Sequence, residues 1–154
     1  MTPEVSLSDL LGAEHHRLEA LWSQARAALD QAAPTAALNA FDDGLRRHIR
    51  DEEEVLFPAF EARTGMGPQG GPTAVMRLEH RQLETLLAAL TGTADGAATH
   101  EITSQAAAAL SRLIADHDAK EEGMLYPMMD RAFRAAEKTA LVGRLDAAAE
   151  SAKN

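Results

Sequence analysis

One arrangement of histidine and glutamate occurs twice in this chain, and that repetition limits the fold more than any other feature. The first copy reads His48-Ile-Arg-Asp-Glu52-Glu-Glu-Val-Leu-Phe57-Pro58, and the second His117-Asp-Ala-Lys-Glu121-Glu-Gly-Met-Leu-Tyr126-Pro127. Upstream of each lies a second shared phrase, Glu14-His15-His16-Arg17-Leu18-Glu19 and Glu79-His80-Arg81-Gln82-Leu83-Glu84. The order His, His-x3-Glu, His, His-x3-Glu is an internal duplication of a helix pair. A His and a Glu four residues apart share one face of a helix, and side chains facing inward from several helices can hold a metal between them.

The rest of the sequence suits that arrangement. Its 154 residues are enough for a single domain spanning 1–154 with a sizeable core. Alanine and leucine dominate while aromatics make up 4%, which favours helices over sheet. The net charge of −9 argues against a nucleic-acid partner. Cysteine is absent, so disulfides, thiolate metal sites and thiol nucleophiles are excluded. No export signal is visible at Met-Thr-Pro-Glu-Val-Ser-Leu-Ser, and no apolar run approaches the ~20 residues of a membrane span. On these features the cytoplasm is the expected compartment, with no membrane partner expected.

Periodicity predicts an all-α, antiparallel up-down-up-down four-helix bundle over about 7–135, followed by a short fifth helix over about 137–151. Ser6 or Ser8 caps a first helix that runs to about Ala33. The second spans about Thr35 to Ala62, with Phe41, Leu45, His48, Glu52, Val55 and Ala59 on one face. The Gly- and Pro-rich stretch from Thr64 to Thr73 is a loop separating the two copies. A third helix covers about Thr73 to Leu90. The fourth covers about Glu101 to Ala135 and aligns Leu110, Ile114, His117, Glu121, Met124 and Met128. Pro58 and Pro127 each remove one helix hydrogen bond, so a kink is expected at both. Tyr126, nine residues after His117, falls about half a turn from the ligand face, which argues against a redox role for it.

Imidazole with carboxylate and no thiolate is a ligand set for non-haem iron, with manganese as the alternative. Glu52 and Glu121 come from opposite halves of the repeat and are assigned as bridges between two ions. His15, His48, His80 and His117 become terminal ligands. Together with one oxo or hydroxo bridge these leave about two coordination positions open, as a reactive site requires. A single His-x3-Glu would be an ordinary surface pair; two copies, each preceded by a matching His, are not.

These motifs, Glu-His-x2-Leu and His-x3-Glu-Glu-x3-Phe/Tyr-Pro, each present twice, resemble the hemerythrin-like or HHE cation-binding family over about residues 7–135. The resemblance implies a four-helix bundle around a di-iron centre with His15, His48, Glu52, His80, His117 and Glu121 as ligands. Oxygen-carrying hemerythrins place a second His four residues after the third-helix His, where this chain has Glu84. The site therefore looks like the carboxylate-rich bacterial branch. It is similar in ligand set to iron-centre repair proteins, but the cysteine-bearing region those usually carry is missing. The resemblance implies a small ligand (oxygen, peroxide or nitric oxide) bound for sensing, detoxification of oxidative or nitrosative stress, or iron handling. Peroxidase- or catalase-like activity, ferroxidase activity and repair of iron centres are the enzymatic alternatives.

Three further residues are candidates beside the six. His16 rivals His15, but the phase of Leu11, Leu18 and Trp22 favours His15 and leaves His16 at the rim. Glu19 and Glu84, one turn beyond their histidines, are either salt-bridging surface groups or additional ligands. Glu53, Glu54 and Glu122 are expected in solvent, as is His100 in a loop.

Overall fold

The computed structural model describes residues 3–29, 35–92 and 100–153, and all regular structure among them is helical. Helix α1 spans Leu7–Ala28. The second rod consists of α2 (Thr35–Asp51), a π-helical turn (Glu52–Leu56) and α3 (Phe57–Thr64). Helix α4 spans Pro72–Gly92. The fourth rod repeats the second, with α5 (His100–Lys120), a π turn (Glu121–Leu125) and α6 (Tyr126–Ala132). Helix α7, Ala135–Ala152, is the fifth rod. The order of elements matches the expected bundle with a short C-terminal helix, and α1 packs on α2 as α4 packs on α5. His100, expected in a loop, opens α5. The connection expected near Pro34 falls outside the described residues, as does that expected after Leu90, except for Thr91 and Gly92, which extend α4.

Local chemistry sets the ends. Ser6 caps α1, its Oγ accepting from the Asp9 N–H at 3.1 Å. Gly65 ends α3 in the left-handed region at φ 74°, where a residue with a Cβ would be strained. Gly44 serves a different need: a Cβ there would lie 2.9 Å from Leu18 Cδ2, so its absence lets α2 close on α1.

The prolines act through the π turns. The Phe57 N–H bonds to the Glu52 carbonyl, and the Tyr126 N–H to the Glu121 carbonyl, both five residues back. A proline ring collides with the carbonyl four residues before it, and widening the turn ahead of Pro58 and Pro127 relieves that collision. Each wide turn also takes up one extra residue, which re-phases everything after it. Leu125, Tyr126 and Met129 therefore point inward, while Met124, expected on the inner face, is exposed, unlike Val55 at the same place in the first π turn.

The core is divided. One apolar cluster joins Trp22, Phe41, Leu45, Leu83, Leu87 and Leu110. The other joins Leu7, Phe57, Phe60, Met76, Leu125 and Met129 with Leu141 and Leu145 of α7. Between the two lies a buried layer of histidines and glutamates. The two ends of the repeat are also tied alike. Asp130 accepts from the backbone N–H groups of Leu7 and Ser8 at 2.7 and 2.9 Å, and Glu61 accepts from the Thr73 hydroxyl at 2.7 Å.

Candidate metal centre

Each of the four main rods brings residues to this layer at one height. His15 comes from α1, His48 from α2, His80 from α4 and His117 from α5, while Glu52 and Glu121 open the two π turns. All six are buried, both glutamates completely. Their ligand atoms form two groups, each with its atoms within 4.8 Å of one another: His15, His48, Glu52 and Glu121, and Glu52, His80, His117 and Glu121. Both glutamates belong to both groups.

The imidazoles share one orientation, with Nε2 turned inward. His15 Nε2 and His117 Nε2 lie 3.2 and 3.1 Å from Glu121 Oε1, and His80 Nε2 lies 3.0 Å from Glu52 Oε2. His48 Nε2 lies 3.4 Å from Glu52 Oε1 and 3.2 Å from His15 Nε2. Three of the outward nitrogens meet a carboxylate. His15 Nδ1 is 3.1 Å from Glu122, His80 Nδ1 is 2.8 Å from Glu53, and His117 Nδ1 is 2.9 Å from Glu79. A carboxylate on the outer nitrogen fixes the tautomer, leaving the inner nitrogen as a lone-pair donor.

Glu53, expected in solvent, is thus drawn in against His80; Glu122 is exposed as expected and still reaches His15, Glu79 joins them, and Glu54 is exposed. The signal for Glu53 and Glu122 was their place beside Glu52 and Glu121 in both copies. Glu79 precedes His80 as Glu14 precedes His15, and it is also bonded to Lys120. Glu14 instead pairs with Arg17 at 2.7 Å.

Tyr126 departs most from the expectation. Its hydroxyl donates to Glu52 Oε1 at 2.5 Å and also lies 3.0 Å from Glu121 Oε1 and from His15 Nε2. Counting in α-helical steps places it on the far side; the π turn between Glu121 and Tyr126 brings it round to the centre. The first copy has Phe57 at this position, stacked on His80 at 5.7 Å with a 5° interplanar angle, and the Arg77 guanidinium lies over the Phe57 ring at 5.4 Å.

The electrostatics are those of a charged cluster enclosed in apolar walls. Burial works to raise the Glu121 carboxyl, but bonds to His117, His15 and His48 hold it well below its ordinary value. Burial and the Glu121 charge push Glu52 up, and His48 and His80 outweigh them. Burial opposes charge on His117, yet Glu121, Glu52 and Glu79 lift it to about 9. Tyr126 is driven well above its usual range by burial and the two carboxylates. Four inward atoms, Glu52 Oε2, Glu121 Oε2, His80 Nε2 and His117 Nε2, are buried without a hydrogen bond of adequate geometry. Unmet polar atoms of this kind cost about 1–3 kcal/mol each in a protein interior. Their convergence fits a cation among them.

Of the other candidates, His16 and Glu19 are exposed and line a cleft between α1 and α5, while Glu84 pairs with Arg81 at 3.4 Å on the surface. The cleft has a volume of about 430 Å³ and also includes Trp22, whose indole N–H donates to the Ser111 hydroxyl oxygen at 2.9 Å. Among the described residues, no helix is long and apolar enough to cross a membrane.

The sequence matches the model of the hemerythrin HHE cation-binding domain over residues 6–129 and again over 73–151, the second match beginning where the second copy of the repeat begins. No curated protein and no solved structure matches the chain significantly. With a family match across most of its length and buried His/Glu groups arranged to take metal, the chain belongs to the hemerythrin HHE cation-binding family.

Proposed function

We propose that this protein holds two non-haem iron ions and uses them to engage a small ligand such as oxygen, peroxide or nitric oxide. His15 and His48 would hold one ion and His80 and His117 the other, with Glu52 and Glu121 bridging. The observation that supports this reading is the pair of completely buried glutamates common to both His groups. Two adjacent cations need shared anions between them, and carboxylate with imidazole suits iron, or manganese, better than softer metals. When bound, the metals would supply redox chemistry and open positions for an exogenous ligand. The residues around them would orient the imidazoles through Glu53, Glu79 and Glu122, exclude bulk water with two apolar clusters, and hold a proton at the Tyr126 hydroxyl between the bridges. The cytoplasm is the compartment we assign to this cysteine-free chain.

Tyr126 favours a second reading, an enzyme that consumes peroxide or oxidises ferrous ion, because a phenol against both bridging carboxylates can pass a proton to the centre. Elemental analysis on protein purified without a histidine tag, together with its visible spectrum in air, tests the main proposal. The expected result is close to two irons per chain and a near-ultraviolet band that moves on adding azide. No metal after anaerobic ferrous loading would sink both readings. Repeated turnover of peroxide or ferrous ion would decide for the enzyme.

A further inference from the structure

Two cavities meet at one pair of side chains. The larger is the cleft between α1 and α5, which reaches inward to His15. The smaller is an internal chamber on the side of the centre toward the Trp22 cluster. It is walled by Leu18, Phe41, Leu45 and Leu83, with His48 on one side and His117 on the other. Its size leaves about 10 Å³ for the centre of one water-sized molecule, enough for a diatomic and too little for an organic compound. Ile114 and Asp118, one turn apart on α5, line both spaces, and both are half-buried. They form the partition between cleft and chamber. Asp118 Oδ1 lies 3.5 Å from His15 Nε2, so its charge stands at the inner end of the cleft.

We propose that uncharged diatomic molecules reach the centre from the α1–α5 cleft by passing between Ile114 and Asp118 into this chamber, and that Asp118 turns anions back. The proposal rests on the small-ligand reading above and names both the ligand class and its path. Apolar walls attract a neutral diatomic and give an anion no counter-charge. The carboxylates of Glu19, Asp118 and Glu122 outnumber the guanidinium of Arg26, which lies toward Ser111 and donates to its hydroxyl oxygen at 2.9 Å. On the other side His48 also borders a cavity, about 160 Å³, beneath α7. His48 is the one residue that lines both this cavity and the chamber, so a path from that side would have to displace the imidazole itself.

The test mixes nitric oxide with the ferrous protein and azide with the ferric protein in a stopped-flow spectrometer, after metal content has been matched. Asp118→Asn should speed azide binding about tenfold while nitric oxide changes less than about twofold. Ile114→Ala should speed both. If Asp118→Asn does not retain two irons, Glu19→Gln at the mouth of the same cleft replaces it, with azide faster by about twofold. Azide and nitric oxide rates indifferent to these substitutions would overturn the path while leaving the small-ligand reading intact. Failure of wild-type protein with two irons to bind either would overturn that reading itself. Metal-free crystals under oxygen pressure give an independent readout. Oxygen among Leu18, Phe41, Leu45 and Leu83 is expected, and an empty chamber would refute the proposal.

Discussion

In the second half of the centre both histidines rest on an outer carboxylate, His80 on Glu53 and His117 on Glu79. In the first half only His15 does, on Glu122, while Glu14, the counterpart of Glu79, is turned toward Arg17. Two exchanges explain the difference. Arg17 stands where the second copy has Gln82, and Asp51 stands where it has Lys120. Lys120 bonds Glu79 and steadies it, whereas Asp51 places a like charge near Glu14. The aromatic position differs as well: Tyr126 donates to the carboxylates common to both groups, and Phe57 only stacks on a histidine. The duplication has kept what a pair of cations would demand, four inward nitrogens and two shared carboxylates, and has let the supports diverge. The first half is the one whose candidate ligands are less firmly held.

The comparison can be broken most severely at the shared residues. Glu52→Ala or Glu121→Ala should empty both halves and lower the melting temperature of protein purified with metal, because binding stabilises the folded state. Elemental analysis showing one iron retained would mean that the glutamates do not serve both groups. Next in size, His48→Ala and His117→Ala should each weaken one position, giving close to one iron per chain, while His16→Ala keeps two. Third, Glu79→Gln should weaken metal binding about 10–100-fold by removing the outer support of His117, and Glu14→Gln by less than about twofold. A competitive chelator titration measures both. An equal loss in the two variants would erase the asymmetry argued here.

Smaller effects sharpen it further. Tyr126→Phe makes the halves alike at that position and removes a donor from Glu52, which should destabilise the metal-free protein by about 1–3 kcal/mol in urea. The pH response of the metal-free protein has a definite sign. His117 titrates at about 9, above its ordinary 6.5, so its contribution is complete below 6.5 and is lost as pH rises through 9. Glu121 lies well below its ordinary 4.5, so its contribution is present above 4.5 and disappears only in stronger acid. Thermal melts should therefore peak between about 4.5 and 6.5 without metal. With metal bound they should weaken toward acid, because protons compete for the ligand atoms.

Sequence periodicity carried the rods, their order and the height at which four histidines and two glutamates meet, because those follow from apolar spacing and a repeated motif. It missed Tyr126, since counting at 3.6 residues per turn fails across a π turn, and it misplaced Met124, which is exposed although its counterpart Val55 is buried. The prolines were visible, but a proline in a helix announces strain without saying whether a bend or a widened turn absorbs it. Glu79 was missed for another reason. Its role depends on a bond to the neighbouring rod, and one helix's pattern does not show which side chain of the next rod lies opposite.

The buried polar layer has a consequence for how the molecule comes apart. It separates two apolar compartments that touch mainly through His, Glu and Tyr side chains. Cooperativity between folding units depends on the free energy of the surface that joins them. With the layer bound to metal, the compartments should open together, and amides in the two should exchange at similar free energies. Without it, the joining surface is a set of ion pairs with four unmet polar atoms among them, and each compartment becomes a separate unit of opening. The compartment beside Trp22 lacks the C-terminal helix that braces the other, and its amides should exchange first.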